Sequence, residues 1–342
     1  MLGKSHLRIG ILSSVIITAV PAINSFVLFN NSNIHIPRGV LNITGVALAG
    51  LGALMVDADS EHSKINHMNP VTGVFDGVVG LIENILKTII SLLLTVGIGL
   101  YILYHSNIII NELNKFSSLK KISSEITYIL AAFLILSGIT GSRIVRYIPF
   151  VSSIYKIVTG SIGDLGDLLK KIFMKLVYIG GGAAVIYYSY IHNLSGMMYL
   201  SGAILIAAGI FPHRSFFHAI EGAVLVPMCV TYILSKLGYG YLSSYFIIGY
   251  LSHIYWADIF TTEGVPLSSI PIVLEKLGAG KVLKQFKVYR IVSRVLGFRL
   301  RIPPFMHTGS PSGNIFEATY VIFLCAIAAI AINKFGISIK II

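Results

Sequence analysis

Charge is scarce in this sequence. Of 342 residues only 12% are Asp, Glu, Lys or Arg, about half the share found in an average soluble domain. Acid is scarcer than base, 14 residues against 26, so the formal net charge is +12. Cysteine is nearly absent too, and the two present, Cys229 and Cys325, each lie inside an apolar run. That excludes a disulfide framework and a cysteine-based zinc site. Internal repeats, heptads and low-complexity tracts are missing, which excludes solenoids, coiled coils and linker-rich architectures. What is there is apolar surface. Hydrophobic residues make up 55% of the chain, and mean hydropathy is +0.82. Disordered chains, secreted mini-domains and ordinary cytosolic enzymes do not have this composition. It predicts an all-α, polytopic integral membrane helical bundle, with residues 1–342 forming a single membrane domain. In a soluble protein the basic excess would suggest nucleic acid. In a bilayer protein it reflects loops facing anionic lipid, so lipid is the expected partner and nucleic acid is not.

A transmembrane helix needs about 20 mainly apolar residues. Such stretches fall near 8–29, 39–56, 78–104, 126–148, 172–192, 195–211, 216–235, 241–260 and 315–333, which predicts nine spans. The first follows Lys4 and Arg8 but is longer than a signal-peptide core and lacks a small-x-small cleavage site, so it reads as a helix. With the N-terminus inside, 18 basic residues fall on the cytoplasmic side and 7 outside, which favours that orientation. Residues 276–301 carry eight of the 18 and no acid after Glu275, so they predict an amphipathic element on the cytoplasmic membrane surface. Glycines at Gly45, Gly50 and Gly52 and at Gly180–Gly182 stand at spacings that let helices approach closely in a bilayer.

Ionisable groups in or beside spans are costly and call for a reason. Seven of the ten histidines, His6, His62, His67, His213, His218, His253 and His307, fall at cytoplasmic span ends in this topology, as do Asp57, Asp59, Asp258 and Glu317. Clusters far apart in sequence are thereby expected to meet at one membrane face. Asp57 and Asp59, two apart, can chelate one cation only from a turn or a frayed helix end. Alone, they read as a solvated turn. His213 and His218 flank a helix start, with Arg214 between them as a clamp for an anion or phosphate. Interfacial anchoring is the plainer reading of that triplet. His253 and Asp258 end the eighth span just before the helix-breaking Thr261–Gly264, either as a ligand pair or with Asp258 as a cap. Glu317 opens the last span, where it complements a helix N-terminus or acts as a base or ligand.

Together these segments resemble the inner-membrane-associated, LexA-regulated, metal-dependent hydrolase family. The resemblance lies in Ser5-His6-Leu7, in Asp57, Asp59 and Ser63, in His213-Arg214-Ser215 with His218-Ala219, in Gly249, Tyr250, Ser252, His253, Asp258, Thr261, Gly264, Val265 and Pro266, and in Phe298-Arg299-Leu300 with Gly313, Asn314 and Glu317. It covers roughly 1–73 and 205–325, leaving 74–204 as a helical insertion. The sequence departs from the family in four places. Val56 stands where a proline is usual, the usual D-H-P is Asp59-Ser60-Glu61 with His62 offset, Phe217 stands where threonine is common, and His253 and Asp258 are five apart rather than four. On a regular helix five residues turn Asp258 about 140° from the His253 face, and a π-bulge between them would restore the register.

The resemblance implies a multi-pass protein of the cell inner membrane, with its N-terminus cytoplasmic. It also implies a divalent metal ion, zinc foremost with manganese, magnesium or iron as alternatives, drawn from His6, Asp57, Asp59, His213, His218, His253 and Asp258. Glu317 and Arg214 are the expected catalytic residues, and an anionic lipid or lipid-linked phosphoester is the expected substrate. Two other classes stay open at this point: a secondary transporter or channel, and a non-catalytic metal-binding membrane protein.

Overall fold

The computed structural model describes residues 3–21, 30–31, 34–35, 39–60, 63, 65, 69–139, 149–307 and 309–340. His62 and His67 lie outside them. In chain order the elements are α1 (Gly3–Ala19), β1 (Asn30–Asn31), β2 (Ile34–His35), β3 (Val40–Asn42), α2 (Ile43–Met55), α3 (Pro70–Tyr104), α4 (Ser106–Leu113), α5 (Ser123–Ile139), α6 (Pro149–Ile191), α7 (Gly196–Ile210), α8 (Ile220–Lys236) and α9 (Ser243–Ser252). A π-helical turn, His253–Ala257, and a 3-10 turn, Asp258–Phe260, follow. The chain then forms β4 (Val265–Pro266), α10 (Ile270–Lys276), α11 (Ala279–Leu283), α12 (Lys287–Leu296), β5 (Arg299–Leu300), α13 (Pro311–Phe335) and β6 (Ser338–Lys340).

The molecule is built from helices, as its composition predicts. Among the described residues three helices, Pro70–Tyr104, Ser152–Ile191 within α6, and Pro311–Phe335, are long and apolar enough to cross a membrane by length and composition. The other apolar stretches form shorter helices within the described residues, and the expected spans 8–29 and 126–148 extend outside them, so nine full-length spans are not seen there. The stretch 241–260 shows why. Its helix gives way to a π turn and then a 3-10 turn, so α9 itself holds only 10 residues. The three two-stranded pairings, β1 with β2, β3 with β6 and β4 with β5, were not expected. Each is too short to leave a period-two signal.

The chain divides into two compact units, residues 73–172 and residues 1–72 with 173–342. In the smaller unit, α3 and α5 approach through Gly99 and Gly138, where a Cβ would strike Ile135 and Thr95 respectively. Glu83 there binds Lys87 at 3.2 Å and Lys170 at 3.3 Å. Residues 173–204, expected within the insertion, pack in the larger unit. Gly182 meets the Gly202 backbone, and Ile204 and Ala208 join a core with Phe217, Val226, Phe246 and Tyr250.

Small residues set the larger unit's geometry. A Cβ at Gly52 would strike the Phe246 carbonyl and one at Gly249 the Ala49 backbone, so α2 and α9 lie nearly in backbone contact. Gly10 brings α1 onto Ala49 and Ala53 of the same helix. Gly45 and Gly52 therefore serve the helix packing their spacing predicts, Gly45 against the Tyr245 ring. Asn42 caps α2 by accepting from Gly45 N at 2.9 Å, and Ser310 caps α13 through Gly313 N at 3.0 Å with Pro311 just inside the helix. At one end of this bundle α1 and α13 begin and α2 and α9 finish. At the other, β3 leads into α2, and β6 pairs with it in parallel.

Candidate metal centre

The chain leaves α2 through a turn, Val56–Asp59, which frees both carboxylates from helical register. A run of turns, His213–His218, precedes α8. The π turn then supplies the extra residue between His253 and Asp258. The bulge that the five-residue spacing calls for is present, and it brings Asp258 back beside His253.

The result is a convergence of six side chains. His6, Asp57 and His253 form one grouping, Asp57, His213 and His218 a second, and His218, His253 and Asp258 a third, with ligand atoms in each within 4.8 Å of one another. Asp57 Oδ1 lies 3.5 Å from His218 Nε2, 3.6 Å from His253 Nε2 and 3.9 Å from His213 Nε2. Asp258 Oδ2 lies 3.1 Å from His218 Nε2 and 3.3 Å from His253 Nε2, and its Oδ1 is 3.8 Å from His6 Nε2. The His6 and His253 rings stack at 3.7 Å. His6, His218, His253 and Asp258 are all but completely buried. Burial alone would raise the Asp57 carboxyl, but His253, His218 and His6 overcome it and hold the group well below the usual carboxylate range.

Two of the imidazoles are aimed by groups behind them. His253 Nδ1 lies 2.5 Å from the Ala53 carbonyl, so it donates there and turns Nε2 toward the cluster. His213 Nδ1 lies 2.7 Å from Asp59 Oδ1, which in the same way turns Nε2 toward Asp57. Asp59, expected as a ligand, stands one step back from the six converging groups, because its near oxygen is engaged by His213. This is the carboxylate–histidine arrangement that orients metal ligands and raises their basicity.

The donor set fits a divalent metal. Buried polar atoms are normally paired. Here His6 Nδ1, His218 Nδ1 and Nε2, His253 Nε2 and both Asp258 carboxylate oxygens are buried without a hydrogen-bond partner. Imidazole nitrogen with carboxylate oxygen suits zinc, manganese or iron. Asp57, His218 and His253 each belong to two groupings, a sharing that accommodates two neighbouring ions.

Glu317 is not among the converging groups. It is buried and accepts from Ser5 Oγ at 2.7 Å, tying α13 to the residue before His6. Arg214 has φ of 59°, uncommon for a residue with a side chain. Its neighbour His213 thereby faces Asp59 while Arg214 reaches Thr261 Oγ1 at 3.3 Å and Glu263 at 3.1 Å. Glu263 and Arg301, not singled out by spacing or motif, join Arg299 at this place. Arg299 Nη1 donates to the Glu263 carbonyl at 3.1 Å and Arg301 Nη1 to the Thr262 carbonyl at 3.5 Å. Burial lowers the Arg299 guanidinium, with Glu263 opposing and Arg214 adding to the shift. The pairing of β4 with β5, Pro266 opposite Arg299, brings the two motif halves together, and Gly264 at φ 59° allows the Leu300 carbonyl to approach.

A family model described as "YdjM inner membrane protein" matches residues 1–336. The chain belongs to that family. The membership covers the insertion as well as the segments that carry the resemblance, and it accords with the long apolar helices. No curated protein and no solved structure matches the chain significantly.

Proposed function

We propose that this protein is a membrane-bound, metal-dependent hydrolase acting on a lipid or lipid-linked phosphoester, with its metal centre at the cytoplasmic interface of the inner membrane. The observation that carries the reading is the meeting of six ligand-type side chains from four separate segments, with ring nitrogens of His6, His218 and His253 and both Asp258 oxygens buried without a hydrogen-bond partner. Membership of an inner-membrane family supports the location. The likeness of the histidine and aspartate motifs to metal-dependent hydrolases supports the chemistry.

His6, Asp57, His213, His218, His253 and Asp258 would hold the metal. A divalent ion in such a site supplies Lewis-acid polarisation and a hydroxide-like nucleophile near neutral pH. The protein's own groups do the rest. The Ala53 carbonyl keeps His253 in one tautomer, and Asp59 orients His213. Arg214, one residue from a ligand, places positive charge beside the cluster and is suited to an anionic substrate. Glu317, expected from sequence as the base, acts in this reading through its bond to Ser5, which fixes the start of α1 and hence His6.

The test uses the purified full chain in detergent. About two divalent ions per chain are expected, falling sharply in His253→Ala. Hydrolysis of phosphoesters in a membrane lipid extract should depend on the same metal and vanish in that variant. A chain that binds no divalent metal, or binds it and hydrolyses nothing, would overturn the hydrolase reading.

A further inference from the structure

Next to the metal cluster lies a cleft of about 470 Å³, lined by Thr262, Glu263, Gly297, Phe298, Arg299 and Arg301. Arg214 adjoins the cleft through its bonds to Thr261 and to the lining residue Glu263. Thr261 is also the link to the cluster, since its hydroxyl donates to the Asp258 carbonyl at 2.7 Å. Arg299 and Arg301 in the lining and the adjoining Arg214 thus accompany one carboxylate, Glu263, which pairs with Arg214, leaving a local excess of two positive charges. Arg299 and Arg301 each spend one Nη1 on a main-chain carbonyl. Those bonds hold the planar forks in place and leave other N–H donors for a ligand.

The segment that bears these arginines alternates. Arg299 and Arg301 are interleaved with Phe298, Leu300 and Ile302, all three exposed. Just before it, α12 has Lys287, Arg290 and Arg294 on one face and exposed Val288, Ile291, Val292 and Val295 on the other. A ligand that suits both halves of this surface carries an anionic group and an apolar body. Guanidinium forks match phosphate oxygens in two-point contact, and an amphipathic basic helix lies in the headgroup layer of an anionic bilayer.

We infer that this cleft is a binding site for the phosphate of a membrane lipid, which it holds at the edge of the metal cluster. Glu263 occupies Arg214 when no ligand is present and is displaced by the phosphate. The fate of the bound lipid rests on the hydrolase reading, but the binding itself does not.

The probe is dihexanoyl phosphatidic acid, titrated into the full chain in detergent, with inorganic phosphate and dihexanoyl phosphatidylcholine as the other arms and metal content measured on every sample. Phosphatidic acid should bind best. Arg299→Gln with Arg301→Gln should weaken it about tenfold or more, since each loses charge-assisted hydrogen bonds, and leave the metal content unchanged. Glu263→Gln frees Arg214 and should strengthen binding by about two- to fivefold, the scale of an exposed ion pair. Equal binding by wild type and the double arginine variant would overturn the site, as would weaker binding in Glu263→Gln. Inorganic phosphate binding as tightly as phosphatidic acid would overturn the lipid assignment. A His253→Ala chain that has lost its metal and still binds phosphatidic acid would support the cleft as a site separate from the metal ligands, whereas a wild-type chain that binds phosphatidic acid but holds no metal would remove the hydrolase reading and leave the cleft standing.

Discussion

Asp59 and Asp258 are both expected as ligands, Asp258 on the condition of a bulge in its helix, and they are placed differently: Asp258 sits among the imidazoles while Asp59 grips His213 from behind. The difference is one of access. Asp258 has both oxygens buried without a hydrogen bond, whereas Asp59 has one oxygen 2.7 Å from His213 Nδ1 and only the other left without a partner. Substituting each by asparagine separates the roles. Asp59→Asn keeps an acceptor for His213 but removes the charge that raises its basicity, so metal affinity should fall about 10- to 100-fold, the usual cost of an outer partner. Asp258→Asn removes a ligand carboxylate and should cost more. Chelator competition on both variants measures this directly. Unchanged affinity in Asp59→Asn, with only a lower melting temperature, would make Asp59 a purely structural residue.

At the scale of elements, the π turn is what assembles the site. Its five residues carry one more than an α-helical turn can place between His253 and Asp258 on one face. Deleting Tyr255, a partly exposed residue of that turn, should remove the bulge and leave a four-residue spacing, which a regular α-helix places within about 40° of one face. The shortened chain should keep its metal, as should Tyr255→Ala, while an alanine inserted after Tyr255 should turn Asp258 by about 100° and lower metal content sharply. Full metal occupancy in the insertion variant would show that the register is incidental. This bulge was legible in the sequence because the count of residues between two motif positions is itself geometry. The helices were legible because apolar runs announce them, and Gly45 and Gly52 announced close packing. Their partners were not legible. Nothing in the run Tyr245–Gly249 says that Tyr245 and Phe246 face those glycines or that Gly249 meets Ala49. Pairings of two or three residues such as Val265–Leu300 have no period to read, so the strand contact that brings Arg299 beside Glu263 stayed hidden. The roles of Glu263 and Arg301 were hidden with it.

For the whole molecule, the fold constrains how the chain can sit in a membrane. α1 and α13 both begin at the histidine–aspartate cluster, His6 on one and Glu317 tied to Ser5 on the other. The far end is marked by β6, which pairs with β3 at the opposite end of α2 from Asp57. α13 has 25 residues, about 38 Å of helix, which exceeds the roughly 30 Å hydrocarbon core. The two chain ends are therefore expected on opposite sides. The basic residues then choose the sides, since those near the cluster, the eight from Lys276 to Arg301 above all, outnumber those near the far end. The expected topology has His6, the Val56–Asp59 turn, Arg214 and α12 in the cytoplasm and Lys340 outside. Reporter fusions at 60–72, within 276–301 and after the last residue would read it, the first two cytoplasmic and the third external. Fusions that put 60–72 and 276–301 on opposite sides would break the model at its centre. Asp57 reaches His218 and His253 over less than 4 Å, and Thr261 links that cluster to the cleft formed with β5, so no bilayer can lie between them.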